Sequence, residues 1–362
     1  MPAATALARA PHARPELAAD AVRIALDKAG LDHPQAVLLF LSREFAHDPA
    51  PALTAAARTA QCLQIAGCTA AGVFTEEEWV LDGPAAAALV LGEPFRLLAA
   101  DGLAPTLTLA ATDALDWHWL AGGGPRYGVV AGEQGHQVWQ AARLQASGRC
   151  ELRFSGVQAH IGVSQGVRPL SAPQPLTGVH GGELLTLGRQ SALSELTRAL
   201  PLGVRAPQRL PLHHLMLGVL YGAPEHALEE GRYHLLPVLA VNPTRRSVTV
   251  AGSPRRGEHV FWALREPRAA EYEMRRIIER LTAEHLDEPR FALMFPCVGR
   301  GPAFYGGDER DIQQFVRHCP DTPLIGCYGY GEIAHLDGAN HLLQYSTVLA
   351  VYYDEPFAAA AA

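Results

Sequence analysis

Ile65-Ala66-Gly67-Cys68-Thr69-Ala70-Ala71-Gly72 and Leu324-Ile325-Gly326-Cys327-Tyr328-Gly329-Tyr330-Gly331 repeat one pattern in distant parts of the chain: apolar residues, Gly-Cys, three residues, Gly. Each stretch follows an apolar run and a helix-like segment, and each precedes another apolar run. Glycine and alanine are abundant, so the shared order of surrounding elements carries more weight than the match itself. Strand 36–45, helix 53–63, strand 65–74 and strand 85–92 line up with strand 290–296, helix 308–318, strand 324–330 and strand 342–353. Short apolar runs bounded by turn residues read as buried strands, and longer segments with helical spacing read as helices. The fold class expected is α/β (α+β layered), with two related lobes whose mixed β-sheets are covered by helices, an internal pseudo-repeat. A crease between two such lobes is a natural place for a ligand.

Working outward, residues 15–30 form an opening helix with Gly30 as its stop, and Ala270–Leu286 is the clearest helix, with Ala270, Met274, Ile277, Ile278 and Leu281 on one face. Glu76-Glu77-Glu78 makes a solvated turn, and the Trp- and Gly-rich stretch 113–124 reads as a loop. Segments 234–241 and 247–252 make a hairpin around Asn242-Pro243. The Pro/Arg-rich join at 205–212 is the candidate boundary, giving one domain over 15–204 and another over 205–355. The closing alanine tract, 357–362, reads as a fraying tail.

The chain has 362 residues, 48% of them hydrophobic and 19% charged, enough for full cores and too little charge for disorder. A net charge of -7 argues against nucleic acid or an anionic membrane as the main partner. Lys28 stands alone among the basic residues, which are otherwise arginine, so a lysine Schiff base or a phosphate-loop lysine is nearly excluded. Six dispersed cysteines without a C-x-x-C fit free thiols in a reducing cytoplasm. No apolar run is long enough to span a bilayer, and residues 1–15 lack a signal-peptide core.

Gly162-Val163-Ser164-Gln165-Gly166 fits the nucleophile-elbow pattern, but Pro169 allows barely a turn of the helix that should follow, so the hydrolase reading is weak. Cys297-Val298-Gly299-Arg300-Gly301 follows an apolar strand. Gly299 and Gly301 let backbone amides approach a ligand and Arg300 offers a fork for a carboxylate or phosphate, although a turn with a surface arginine reads as well. Tyr328-Gly329-Tyr330-Gly331-Glu332 leaves a small-residue floor with its tyrosines on one face, and Glu332 suits an ammonium group or Arg300. Glu332, His335, Asp337 and His341 are metal-capable types without a ligand motif, and His213-His214 adds a pair; among 16 histidines such clusters arise by chance, so no metal and no cofactor is expected. Free cysteines are more often buried small hydrophobes than nucleophiles.

With Ser164-Gln165-Gly166, Arg168-Pro169, Cys297-x-Gly-Arg-Gly and Gly326-x-Tyr-Gly-Tyr-Gly-Glu332 in this order, the chain resembles the FIST family over nearly its whole length. Gly67-Cys68-Thr69 is similar to that family's N-terminal Gly-Cys-Ser/Thr strand. Val167 stands where the family often has Cys, Ala334 where it often has Pro, and Arg265-Glu266-Pro267 where an Arg-Asp pair is expected. The resemblance implies a FIST N-like domain over 15–204, a FIST C-like domain over 205–355, and a cytoplasmic sensory module in signal transduction. It implies a small carboxylate or amino acid bound between the lobes, a signalling protein partner, and room for a homodimer. The residues expected at the ligand are Arg168 and Arg300 for a carboxylate, Glu332 for an ammonium, Gly299, Gly301 and Gly331 for backbone contacts, Tyr328 and Tyr330 as walls, and Ser164, Gln165 and Cys68 beside them. The alternative is a thiol-dependent enzyme using Cys297 or Cys327.

Overall fold

The computed structural model of this chain describes residues 2–202, 210–283 and 285–355. The chain divides into two compact units, Met1–Ser164 with Met274–Ala362, and Gln165–Glu273. The boundary expected at 204/205 and the tail 357–362 lie outside the described residues.

The larger unit holds three six-stranded sheets of one design. The first runs Ala3–Arg9, Ala85–Leu91, Ala36–Ser42, Ile65–Ala70, Val138–Gln140, Arg143–Leu144. The second runs Val157–Ser164, Thr347–Asp354, Phe291–Pro296, Leu324–Tyr328, Gly72–Thr75, Trp79–Val80. The third runs Arg96–Ala99, Arg149–Ser155, Thr106–Ala111, Arg126–Ala131, Gly331–Leu336, Ala339–Leu343. In each, the third and fourth strands are parallel and every other pairing is antiparallel. In each, the last two strands are a hairpin lent by a different copy. The first copy lends 72–80 to the second sheet, the second copy lends 331–343 to the third, and the third lends 138–144 to the first. The loan is cyclic, so the inner faces close on one core.

The continuous apolar run of strand 36–42 follows from this arrangement. Ala36, Leu38 and Phe40 face the shared core, with Leu107, Leu109, Val129, Leu293, Phe295 and Cys327. Val37, Leu39 and Leu41 face outward to the Glu16–Ala29 and Ala50–Ala60 helices. A strand buried on both faces has no polar side to alternate with. The second sheet is covered by residues 274–281 of the Pro267–Thr282 helix and by Arg310–His318, and the third by the short Trp117–Ala121 helix.

The repeated glycine is the joint of each copy. A Cβ on Gly67 would lie 1.8 Å from the Leu39 carbonyl oxygen, on Gly128 2.1 Å from that of Thr108, and on Gly326 2.0 Å from that of Met294. These are the registered partners across the parallel pair, so only glycine lets the strands meet there.

The smaller unit is a closed antiparallel barrel. Strands Leu215–Leu220, Tyr233–Asn242, Ser247–Val250, Glu183–Leu187, Gln174–His180 and His259–Arg265 pair in that order, and the last pairs again with the first. Trp262, Leu217, Leu184 and Val248 fill its own core. In sequence it interrupts the second copy between strand 157–164 and the following helix.

Several expectations are corrected. The two Gly-Cys stretches are not single strands. The chain leaves one sheet at Ala71 and again at Gly329–Tyr330, and continues in another. Stretch 113–124 is not wholly a loop: Asp116 caps the Trp117–Ala121 helix by accepting from the His118 and Trp119 amides. Residues 3–9, read without structure, form an edge strand against 85–91. The repeat is threefold, not twofold; Gly128 is followed by Val129 where the other copies have cysteine, so the third copy escaped the pattern.

Candidate functional site

The carboxyl ends of strands 157–164, 291–296 and 324–328 lie at one edge of the second sheet, where crevices of open α/β sheets bind ligands. Ser164 ends the first of these strands. After the second strand, one turn of 3-10 helix, Val298–Arg300, turns the Arg300 side chain inward. There Arg300 is 1% exposed. Its Nη1 donates to the Ser164 carbonyl at 2.7 Å, its Nη2 to Ser164 Oγ at 2.7 Å and to Asp311 Oδ1 at 3.2 Å, and its Nε sits 3.0 Å from Asp311 Oδ2. The Tyr305 and Thr347 hydroxyls donate to Asp311 at 2.7 and 2.8 Å. This is a buried ion pair with its remaining lone pairs satisfied, the condition under which such a pair is tolerated.

Two further carboxyls flank it. Glu309, 2% exposed, accepts from the Tyr328 hydroxyl at 2.8 Å through Oε2, while its Oε1 has no hydrogen-bond partner. Burial, and secondarily the charge of Asp311, pushes its pKa up to about 8. Glu332, fully buried, accepts from Ser346 Oγ at 2.7 Å through Oε2, and its Oε1 is also unpartnered. Burial raises its pKa to about 8, against the hydrogen bonds from Ser346 and Cys297 and the attraction of Arg300. Burial therefore favours the protonated form of both carboxyls.

The other copies show what the fold itself needs at these places. Registering Gly326 on Gly67 makes Thr347 the counterpart of Ala86, Ser164 of Ala8, and Arg300 of Phe45, which ends the matching turn Arg43–Phe45. The inward faces of the covering helices repeat too: Asp311, Ile312, Phe315 and Cys319 have the spacing of Ala52, Leu53, Ala56 and Ala60. The set Ser164, Arg300, Asp311 and Thr347 thus replaces Ala8, Phe45, Ala52 and Ala86, which all belong to one apolar cluster. Glu332 likewise stands opposite Val129 where Val73 stands opposite Cys327 and Val138 opposite Cys68. The architecture is satisfied by apolar side chains at every one of these positions.

The remaining expected residues fall in several places. Gly299 and Gly301 flank Arg300, and Gly301 lies against the Tyr328 ring. Gly331 opens the strand carrying Glu332. The tyrosines do not share a face: Tyr328 is buried against Phe74 at 5.2 Å, whereas Tyr330, at the crossing between sheets, is 39% exposed and bonded to Glu133. Gln165, 4% exposed, donates to the Tyr233 carbonyl within the barrel unit. Arg168, in the same unit, pairs with Glu266 at 2.7 Å on the surface. Cys68 and Cys327 are fully buried, their sulfurs 4.0 Å apart, and burial raises the Cys68 pKa further from the thiolate range. Cys297 is 5% exposed and hydrogen-bonds the Glu332 carboxyl. His335 and His341 fall on opposite faces of a hairpin whose Asp337-Gly338 turn has positive φ at both residues, and His335 Nδ1 is 3.0 Å from Asn340 Oδ1.

Tyr305, Glu309, Asp311, Ser346 and Thr347 escaped the motif reading. The signal for Asp311 was a carboxylate on the inward face of a helix, visible only once the two helices are superposed by register.

Part of this site lies in a stretch that matches a known domain. Residues 192–335 match the FIST C domain. The uncharacterized protein Rv0628c of Mycobacterium tuberculosis is 28% identical over 232 residues, 63% of this chain and 60% of that protein. The uncharacterized protein Mb0898c of Mycobacterium bovis is 26% identical over a stretch of the same length and coverage. The aligned stretch thus spans about 60% of the length of these relatives. Among the described residues no helix is long and apolar enough to cross a membrane.

Proposed function

From a chain that carries a FIST C domain, a sensory signalling domain, over residues 192–335, we propose that the protein is a receptor for a small carboxylate or amino acid and passes its occupancy to a signalling partner. The observation that carries this reading is the polar set Ser164, Arg300, Asp311 and Thr347 at positions that the first copy fills with apolar side chains, together with Glu332 where the other two borrowed hairpins have Val138 and Val73. Replacing a buried ion pair by well-packed apolar groups is often neutral or stabilising, so stability alone does not retain such a set. On this reading Arg300 takes the ligand carboxylate in exchange with Asp311, and Glu332 releases its proton to solvent and takes the ammonium at its free oxygen. The exchange links binding to a rearrangement at the helix carrying Asp311, which is what a sensor requires.

A thermal-shift and calorimetric screen of the proteinogenic amino acids and small mono- and dicarboxylic acids tests it. One of these compounds is expected to raise the melting temperature saturably, and Glu332→Gln to abolish the effect while the protein still melts cooperatively. A flat response across the set, or a response indifferent to Glu332→Gln, removes the reading.

A further inference from the structure

A cavity of about 310 Å³ opens at the seam between the second and third sheets. Tyr127 and Phe154 line it from the third sheet, and Val157, Ala159 and Tyr352 from the second. Ser164 pairs with Thr347 toward one end of the strand pair 157–164 and 347–354, and Ala159 with Tyr352 toward the other. Five residues of strand separate the two places, so the cavity lies about 17 Å along the strands from the Arg300 set.

Two tyrosine hydroxyls meet at this seam. Tyr127 and Tyr352, each 1% exposed, reach from their two sheets and hydrogen-bond each other through their hydroxyls. The other copies fill both positions with apolar side chains. Registering Gly128 on Gly67 and Gly326 makes Tyr127 the counterpart of Ala66 and Ile325. The neighbouring antiparallel pairings make Tyr352 the counterpart of Leu91 and Phe154. All four belong to the same shared core, so the fold needs a hydroxyl at neither place. Each hydroxyl carries one proton, and the bond between them uses one of the two. Among the described residues neither tyrosine has another hydrogen-bond partner. The second proton is left over as a donor in the wall of the cavity, and a buried donor without an acceptor is unfavourable. Burial raises the pKa of both phenols, so both keep their protons.

We propose that this cavity binds a small, uncharged, largely apolar molecule through one acceptor oxygen, such as a ketone carbonyl, which takes the leftover hydroxyl proton. Phe154, Val157, Ala159 and Pro105 supply apolar walls. The charges at the rim select against ions. Arg153 pairs with Asp101 at 3.0 Å and Glu355 adds an exposed carboxylate, so no guanidinium charge is left over for an anion. A cation would meet a donor at the hydroxyls. A cavity of about 150 Å³ holds benzene, so this one has room for a substituted ring. The inference goes beyond the receptor reading and uses none of its residues.

The experiment is ligand-observed NMR titration of the whole chain with acetophenone, with ethylbenzene and benzoate as probes of the same shape. Acetophenone is expected to bind saturably and more tightly than either. Ethylbenzene is the more hydrophobic of the two neutral probes, so a preference for the ketone reports the hydrogen bond. Removing one hydroxyl leaves the other free to donate, so the informative variant is Tyr127→Phe with Tyr352→Phe, which keeps both rings. It should weaken acetophenone about two- to tenfold, the scale of one neutral hydrogen bond, and leave ethylbenzene unchanged. Ala159→Phe, at a partly exposed lining position, should block both. Absence of acetophenone binding, or binding that Ala159→Phe leaves intact, overturns the cavity assignment. Ethylbenzene or benzoate binding the native chain as tightly as the ketone overturns the ligand class, and that comparison needs no variant to fold.

Discussion

Arg300→Ala strands Asp311 without its counter-charge in a place where water does not reach. Removing one partner of a buried pair costs about 3–5 kcal/mol. The first copy shows the way to remove both: Ser164→Ala, Arg300→Phe, Asp311→Ala and Thr347→Ala together install the residue types of Ala8, Phe45, Ala52 and Ala86. The quadruple variant is expected to be more stable than Arg300→Ala, measured by urea unfolding, although it carries more substitutions. A quadruple variant less stable than the single one would show that the two copies are not equivalent at these positions. A second expectation concerns pH. Glu309 and Glu332 have folded pKa values of about 8 against an ordinary value near 4.5, so between these values the folded state holds protons that the unfolded chain has released. Their stabilising contribution is whole below about pH 4.5 and is lost as pH rises through about 8. The urea midpoint is expected to fall over that interval, and Glu332→Gln to flatten part of the fall. A midpoint that rises across it would contradict the burial described for these carboxyls.

At the scale of elements, the fold hangs on the glycines at which parallel strands touch. Gly326→Ala would press a methyl group against the Met294 carbonyl and the Phe74 ring, the latter 2.2 Å from the new Cβ. Overpacking of this kind costs about 1–3 kcal/mol or more, and thermal melting of Gly67→Ala, Gly128→Ala and Gly326→Ala should show comparable losses. An unchanged melting temperature for Gly128→Ala would separate the third copy from the others. These elements were largely legible in the sequence. The helices 16–29 and 310–318 and the strands 36–42, 85–91 and 291–296 stand close to where periodicity put them, because each has a face that must be buried. The crossings at Ala71 and Gly329–Tyr330 were not legible. A strand that ends in one sheet and resumes in another keeps its local apolar pattern, and no local signal marks the change of partner. The candidate site was partly legible. Arg300 and Glu332 were singled out by glycine-rich surroundings and family resemblance, whereas Asp311 and Glu309 lie on and before a helix of ordinary appearance.

At the scale of the molecule, the Gln165–Glu273 unit closes its own sheet and fills it with its own core, centred on Trp262 and Leu217. A polypeptide of residues 165–273 is therefore expected to fold alone, with a cooperative melt followed by circular dichroism. A gradual melt would show that the barrel depends on the rest of the chain. The larger unit has no such independence for any of its copies, since each completes its sheet with a hairpin from another.

The sequence by itself determined that strands and helices alternate, that a Gly-Cys unit recurs, and that Arg300 and Glu332 stand in glycine-rich stretches, because periodicity and backbone freedom are local properties. Only the tertiary structure decided that the copies number three, that they exchange hairpins in a cycle, and that a guanidinium and three carboxyls gather at one sheet edge. Those outcomes depend on pairing between residues far apart in the chain, and on burial that shifts a carboxyl's proton affinity only after the surrounding strands have closed over it.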